Sequence, residues 1–223
     1  ERSEAYLVTG GAGFIGSHLV DRLLKMDKKV IVIDNFDDYY EPQIKRDNIK
    51  THLDNKNFTL KEIDLRDKEG LEEIFQSNGI SKVIHLAARA GVRASLKNPL
   101  IYEEVNIKGT LNLLEACKGH PLDSFIFASS SSVYGTTSKI PFIEEEKLDK
   151  PASFYAATKC TGEIICYTYH SLYSIPIACL RLFTVYGPRQ RPGMAVHKFT
   201  HLISQGKEID IFGDDLSQLN RLQ

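Results

Sequence analysis

A chain of 223 residues that is 42% hydrophobic can bury one substantial core, as a single large α/β domain or as a domain plus part of another. Lys+Arg 28 against Asp+Glu 29 leaves a net charge of -1 with no basic stripe or acidic tail, which argues against a nucleic-acid binder. No apolar run approaches the ~18 residues of a membrane span, no signal-peptide core opens the chain, and the four cysteines lack C-x-x-C spacing. A soluble, cytoplasmic protein without a metal centre or a disulfide framework is therefore expected.

Ala5 to Thr9 is a short apolar run entering Gly10-Gly11-Ala12-Gly13-Phe14-Ile15-Gly16, after which Ile15, Leu19, Leu23 and Leu24 recur at helical spacing. This reads as strand, glycine turn, helix. Gly10 permits the turn, Gly13 lets backbone approach a pyrophosphate, Gly16 lets helix pack on strand, and the helix N-terminus presents N–H groups to the anion. Val30 to Ile33 follows as a buried strand ending at Asp34, where a carboxylate grips adenosine ribose hydroxyls and repels a 2′-phosphate. No arginine follows directly, so the spacing favours NAD over NADP. Asn35 to Asn57, with Tyr39 and Tyr40, reads as a polar loop and an irregular helix of no legible role. Phe58 to Ile63 is a third strand ending at Asp64-Leu65; Asp64 either meets an adenine amino group or N-caps a helix over Lys68 to Gln76.

Lys82 to Leu86 is a fourth strand, with His85 a packed residue, and Ala87-Ala88 are small enough for a cofactor to lie against the backbone. Arg89 and Arg93, in the loop to Pro99, suit a phosphate or carboxylate or are surface charges. Leu100 to Cys117 is a helix containing Asn106, which is solvated or bridges to backbone and ordered water. Ser124 to Ala128 is a fifth strand that delivers the run Ser129 to Ser132 to the sheet edge. Glu144 to Lys150 is a solvated charged loop. A helix over Ala152 to Tyr173 puts Tyr155 and Lys159 on one face, where a neighbouring ammonium favours the phenolate and a serine shares the substrate's hydrogen bond. Cys160 on that helix is a reactive thiol or buried filler. Ile177 to Leu182 is a sixth strand, followed by a loop with Thr184, Tyr186, Arg189 and Arg191, a helix over Met194 to Gln205, and a short strand Ile209 to Ile211. Six strands alternating with helices specify an α/β fold with a doubly wound parallel sheet.

Thr9 to Gly16, His85-Leu86-Ala87-Ala88, Asn106-x-x-Gly109-Thr110, Ser130 to Gly135, Tyr155-x-x-x-Lys159 and Arg181 to Pro188 together resemble the extended short-chain dehydrogenase/reductases that act on nucleotide sugars. The likeness runs from Tyr6 to about Gly213. It implies a Rossmann-type NAD-binding domain over residues 1–206, with 207–223 the start of a smaller C-terminal substrate subdomain that is otherwise missing. It implies catalytic roles for Ser130, Tyr155 and Lys159. NAD contacts are implied at Gly10, Gly13, Phe14, Ile15, Gly16, Asp34, Asn35, Asp64, Leu65, Leu86, Ala87, Ala88 and Asn106, with Tyr155 and Lys159, and sugar contacts at Arg93, Ser131, Ser132, Thr184 and Arg191.

Within that family the 4,6-dehydratases carry Asp-Glu after the catalytic serine or threonine, and the UDP-glucuronate decarboxylases a glutamate at the second position; here those places hold Ser131 and Ser132. With no acid for either side reaction, the resemblance implies 4-epimerisation of a UDP-sugar through a 4-keto intermediate. Arg189-Gln190-Arg191-Pro192 with Ala90 to Arg93 most resembles the UDP-glucuronate 4-epimerases, Arg191 and Thr184 gripping the carboxylate. UDP-glucose or UDP-N-acetylglucosamine 4-epimerases, a simple dehydrogenase, and a weakly active NAD-binding module remain as alternatives. Family members commonly dimerise through a four-helix bundle, here Leu100 to Cys117 with Ala152 to Tyr173, although those apolar stripes also suit the chain's own sheet. NAD binding with weak or absent turnover is expected of the chain by itself.

Overall fold

The structure, a computed structural model, describes residues 4–136 and 140–209. Six strands, β1 (Ala5–Thr9), β2 (Lys29–Ile33), β3 (Phe58–Lys61), β4 (Ile80–His85), β5 (Ser124–Ser130) and β6 (Ile177–Leu182), form a parallel sheet in the order β3-β2-β1-β4-β5-β6. The helices are α1 (Phe14–Lys25), α2 (Pro42–Ile49), α3 (Lys68–Asn78), α4 (Val92–Lys97), α5 (Pro99–Tyr102), α6 (Gly109–Cys117), α7 (Phe154–Tyr173) and α8 (Ala195–Ser204). This is the expected doubly wound arrangement.

Helices on both faces explain why the central strands read as unbroken apolar runs rather than alternating ones. Successive residues still go to opposite sides, as a period of two requires. Leu7, Ile31 and Phe127 enter one core with Leu71, Phe75, Leu113 and Cys166, while Val8, Val30 and Val32 enter another with Val20, Leu23 and Ile49. Chain order reverses between β1 and β4, and Thr9 stands opposite both Ile33 and His85. The loops opening at Gly10, Asp34 and Leu86 therefore leave the sheet side by side at its C-terminal edge, the position where this architecture binds ligands.

Three local expectations change. The helix expected over Leu100 to Cys117 is α5, a π-helical segment over Glu103–Lys108, and α6; its wider turn brings Asn106 inward to 3% exposure. Asp67, not Asp64, caps α3 by accepting from the Gly70 N–H at 3.0 Å, because β3 ends early and Asp64 turns toward the β2 loop. The loop over Glu144 to Lys150 is not merely solvated: Leu148 and nearby Phe142 pack on Val133, Tyr134 and Cys160. The expected strand Ile209 to Ile211 and the expected subdomain start over 207–223 run beyond the described residues.

Candidate active site

The first turn of the fold is shaped by exclusion of side chains. Gly10 sits at φ +69, its N–H donates to the Ile33 carbonyl at 2.7 Å, and a Cβ there would lie 2.9 Å from the Ala87 backbone. At Gly16 a Cβ would stand 2.2 Å from the Gly10 carbonyl oxygen, so only hydrogen lets α1 approach the turn. No side chain caps the start of α1 at Gly13, which leaves its first N–H groups to an anion. Asp34, at the end of β2, is buried and accepts from the N–H groups of Ala12 at 3.2 Å and Phe36 at 3.0 Å. Burial pushes its carboxyl up, against the charge of Lys45 and those two donors. Arg66 and Asn35 donate to Asp64 at 2.9 and 2.7 Å, and the Arg66 contact holds that carboxyl down at about 2.

These groups line one open cleft at the C-terminal edge of the sheet. Gly10, Gly13, Asp34, Asn35, Asp64, Leu65, Leu86, Ala87 and Ala88 lie on its wall as the sequence suggests. So do Asp37, Tyr39, Tyr40 and Lys45, from the segment with no legible role. Their signal was an aromatic pair placed just beyond the strand-end carboxylate.

At the far end of the edge, β5 carries the serine run toward α7. Tyr155 faces Ser130, which draws its phenol down, and the Ser130 Oγ lies 3.2 Å from the Ser132 hydroxyl. Lys159 departs from expectation. It does share Tyr155's helix face, but its buried Nζ donates to the Ala128 carbonyl at 2.7 Å and lies 4.9 Å from the Phe127 ring centroid. Burial pulls its pKa down to about 8. Tyr155 is pushed up by burial and drawn back by Ser130 and by the charge of Arg191, so the cation acting on the phenol comes from the loop after β6.

Supporting contacts hold this group in place. Asn106 donates to the Arg89 carbonyl and the Thr158 hydroxyl, both at 3.0 Å, and accepts from the Arg89 N–H at 2.8 Å. Its polar groups fasten the loop after β4 to α7, the backbone bridge among the two roles expected. His85 is packed as expected: Thr110 donates to the Asn106 carbonyl, so it accepts from His85 Nε2–H, and Thr9 donates to Nδ1. Burial lowers that imidazole to about 3, so it stays neutral. Glu163, on α7, accepts from Ser129 and from Arg181 at 2.9 Å, tying β5 and β6 to the helix. Cys160 is buried, and burial pushes its thiol up, which fits filler rather than a nucleophile.

The residues expected on the sugar side are less gathered. Thr184 and Arg93 are exposed, on the loop after β6 and on α4, while half-buried Arg191 lies against Tyr39 with its Cζ 5.1 Å from the ring centroid. Phe14 and Ile15 lie at the start of α1 beside the cleft. Among the described residues no group of three or more His, Cys, Asp or Glu stands where it would hold a metal ion.

A family model described as GDP-mannose 4,6 dehydratase matches residues 7–217. The chain is 48% identical over 209 residues to a UDP-glucuronate 4-epimerase of Thermodesulfobacterium geofontis, covering 94% of this chain and 64% of that relative. Among solved structures it is similar to the UDP-glucuronic acid 4-epimerase of Bacillus cereus in complex with UDP-glucuronic acid and NAD, at 44% identity and TM-score 0.87, covering 94% of this chain and 66% of that one. The UDP-glucose 4-epimerase of Thermotoga maritima, solved with UDP-glucose, is similar at 37% identity and TM-score 0.85, with 94% and 66% covered. The chain thus spans just under two thirds of each of these three proteins.

Proposed function

The chain belongs to the GDP-mannose 4,6-dehydratase family, and from that premise we propose that it acts as an NAD-dependent 4-epimerase on UDP-glucuronate, giving UDP-galacturonate. The observation that carries the reading is a phenol, Tyr155, facing Ser130 beside Ser131 and Ser132, where elimination or decarboxylation calls for acids. The names of the Thermodesulfobacterium and Bacillus relatives support the same substrate.

The residues present fit NAD. The glycine turn keeps side chains away from the uncapped start of α1, and Asp34 faces the cleft one strand over. In this reading Gly10, Gly13, Phe14, Ile15 and Gly16 form the pyrophosphate cradle, Asp34 and Asn35 hold the adenosine ribose, and Asp64 and Leu65 flank adenine. Leu86, Ala87 and Ala88 back the nicotinamide half, fastened by Asn106, and Lys159 holds the nicotinamide ribose. When bound, NAD supplies a hydride acceptor and donor.

Tyr155 takes the proton of the sugar C4 hydroxyl and returns it after the sugar has turned its other face. Burial opposes ionisation of the phenol, while Ser130 and the Arg191 charge favour the phenolate, the form that accepts that proton. Ser130 orients the reacting hydroxyl, Ser131 and Ser132 hold the ring without offering an acid, and Arg93, Thr184 and Arg191 receive the anionic parts of the substrate. The neutral-sugar alternative has one observation behind it: Thr184 is exposed on the loop after β6.

The same reading carries a homodimer through α7 and the helical run over Leu100 to Cys117, which leave Leu100, Ile164, Tyr167 and Leu172 more than half exposed. It also carries a cytoplasmic setting, in keeping with four free cysteines and with no helix of the described residues long and apolar enough to cross a membrane. Sedimentation of the protein and of Ile164→Glu tests the dimer: a dimer that the glutamate dissociates is expected, and a wild-type monomer contradicts it. For the activity, protein supplied with NAD is incubated with UDP-glucuronate. NMR is expected to show UDP-galacturonate without net gain of reduced nicotinamide; a UDP-pentose, or reduced nicotinamide in step with product, refutes the reading.

A further inference from the structure

Tyr39 occupies a position that the reaction as described does not use. It follows the strand-end carboxylate Asp34 by five residues, and its N–H donates to Asp37 Oδ1 at 2.8 Å, which fixes the backbone of the loop after β2. Its ring meets two guanidinium groups: the Cζ atoms of Arg89 and Arg191 each lie 5.1 Å from the ring centroid. Arg89 is also paired with Asp37. Arg191 makes no ion pair among the described residues, whereas Arg181 is paired with Glu163 and Arg189 with Asp21. The Tyr39 face thus holds a guanidinium that is left to act on a charge from outside the chain.

The hydroxyl end of Tyr39 is equally constrained. A Cβ on Gly91 would fall 2.6 Å from it, so the ring occupies space that only glycine, here at φ +111, leaves open. It lies beside Tyr102, whose own hydroxyl donates to the Ala90 and Gly91 carbonyls at 3.0 and 3.1 Å and whose ring stands edge-on to Tyr155, centroids 6.4 Å apart. One side chain therefore joins the loop beside the cofactor carboxylate to the arginine whose charge reaches the reacting phenol.

We propose that Tyr39 is a positioning residue that aims Arg191 at the acidic group of the substrate, and thereby sets the preference for a uronate over a neutral hexose. This deepens the proposed function and rests on its assignment of Arg191 to the carboxylate. Release of the ring contact leaves Arg191 its charge but not its direction, so the loss falls on the sugar that carries the acid.

The test is calorimetric binding of UDP-glucuronate and of UDP-glucose, at saturating NAD, to the wild-type protein and to Tyr39→Leu, Tyr39→Phe, Gly91→Ala and Arg191→Leu, with near-UV circular dichroism verifying the fold. Tyr39→Leu is expected to weaken UDP-glucuronate about tenfold and UDP-glucose by less than about twofold, whereas Tyr39→Phe, which keeps the ring, retains the preference. Gly91→Ala displaces the ring from the other side and is expected to give the same selective loss, even if Tyr39→Leu fails to fold. Equal losses for both sugars, or a phenylalanine variant that behaves like the leucine one, overturn the inference. A preference abolished by Arg191→Leu but kept by Tyr39→Leu overturns it while the proposed function stands. A wild-type protein with no preference overturns the uronate reading and this inference with it.

Discussion

Tyr155 and Lys159 stand four residues apart on α7, yet the structure gives them different surroundings. The phenol faces Ser130 and the field of Arg191, while the amine is buried against the Ala128 carbonyl. Tyr155→Phe is expected to leave NAD affinity unchanged within about twofold and to lower turnover by at least ~100-fold, the scale of a lost general acid-base group; calorimetry and product NMR check the two halves. Lys159 has its pKa lowered from 10.5 to about 8 by burial, so its charge opposes folding. Below about 8 both folded and unfolded states hold the proton and the full penalty is present. Between about 8 and 10.5 the unfolded state binds more protons, so stability rises with pH across that window. Lys159→Met is therefore expected to stabilise the protein at neutral pH by about 1–3 kcal/mol, to flatten that rise, and to abolish turnover; urea unfolding at neutral and at alkaline pH checks the sign. The pair itself was legible because helical spacing sets a shared face. The direction of the lysine was not, since a long side chain chooses among rotamers by the carbonyl and aromatic ring it meets.

At the scale of elements, β1, the glycine turn and α1 read directly from the residues, because apolar run, glycine spacing and helical periodicity all agree there. Gly16→Ala places a methyl against the Gly10 carbonyl. It is expected to cost about 1–3 kcal/mol of stability and at least ~tenfold in NAD affinity, measured by thermal unfolding and calorimetry, since the turn must shift to admit it. The run over Leu100 to Cys117 was found as a helix but not as one interrupted by a π turn, whose extra residue per turn leaves no mark in an apolar pattern. That segment delivers Asn106 to the Arg89 backbone and Thr158. Asn106→Ala strands a buried N–H and C=O, with an expected loss of about 1–3 kcal/mol and weaker NAD binding; Asn106→Asp, which keeps the acceptor for the Arg89 N–H but turns a buried carboxylate oxygen on the Arg89 carbonyl and the Thr158 oxygen, is expected to lose at least as much at neutral pH.

For the whole molecule, the doubly wound sheet was legible because each strand–helix unit repeats one pattern, and parallel crossovers leave few topologies. What the pattern conceals is contact between distant loops. The segment holding Tyr39 and Tyr40 reads as a polar loop, and only the folded sheet brings it beside Arg89, Tyr102 and Arg191. The chain spans 64% of its Thermodesulfobacterium relative and 66% of its Bacillus one. We expect this chain by itself to bind NAD and to convert UDP-glucuronate slowly, so the decisive experiment uses protein in excess over the sugar. UDP-glucuronate bearing deuterium at C4 is incubated with the NAD-loaded protein and the nucleotide sugar is recovered. The account predicts UDP-galacturonate with the deuterium still at C4, carried to the cofactor and back. Deuterium accumulating in reduced nicotinamide, or UDP-galacturonate recovered with the deuterium lost from C4, would contradict it.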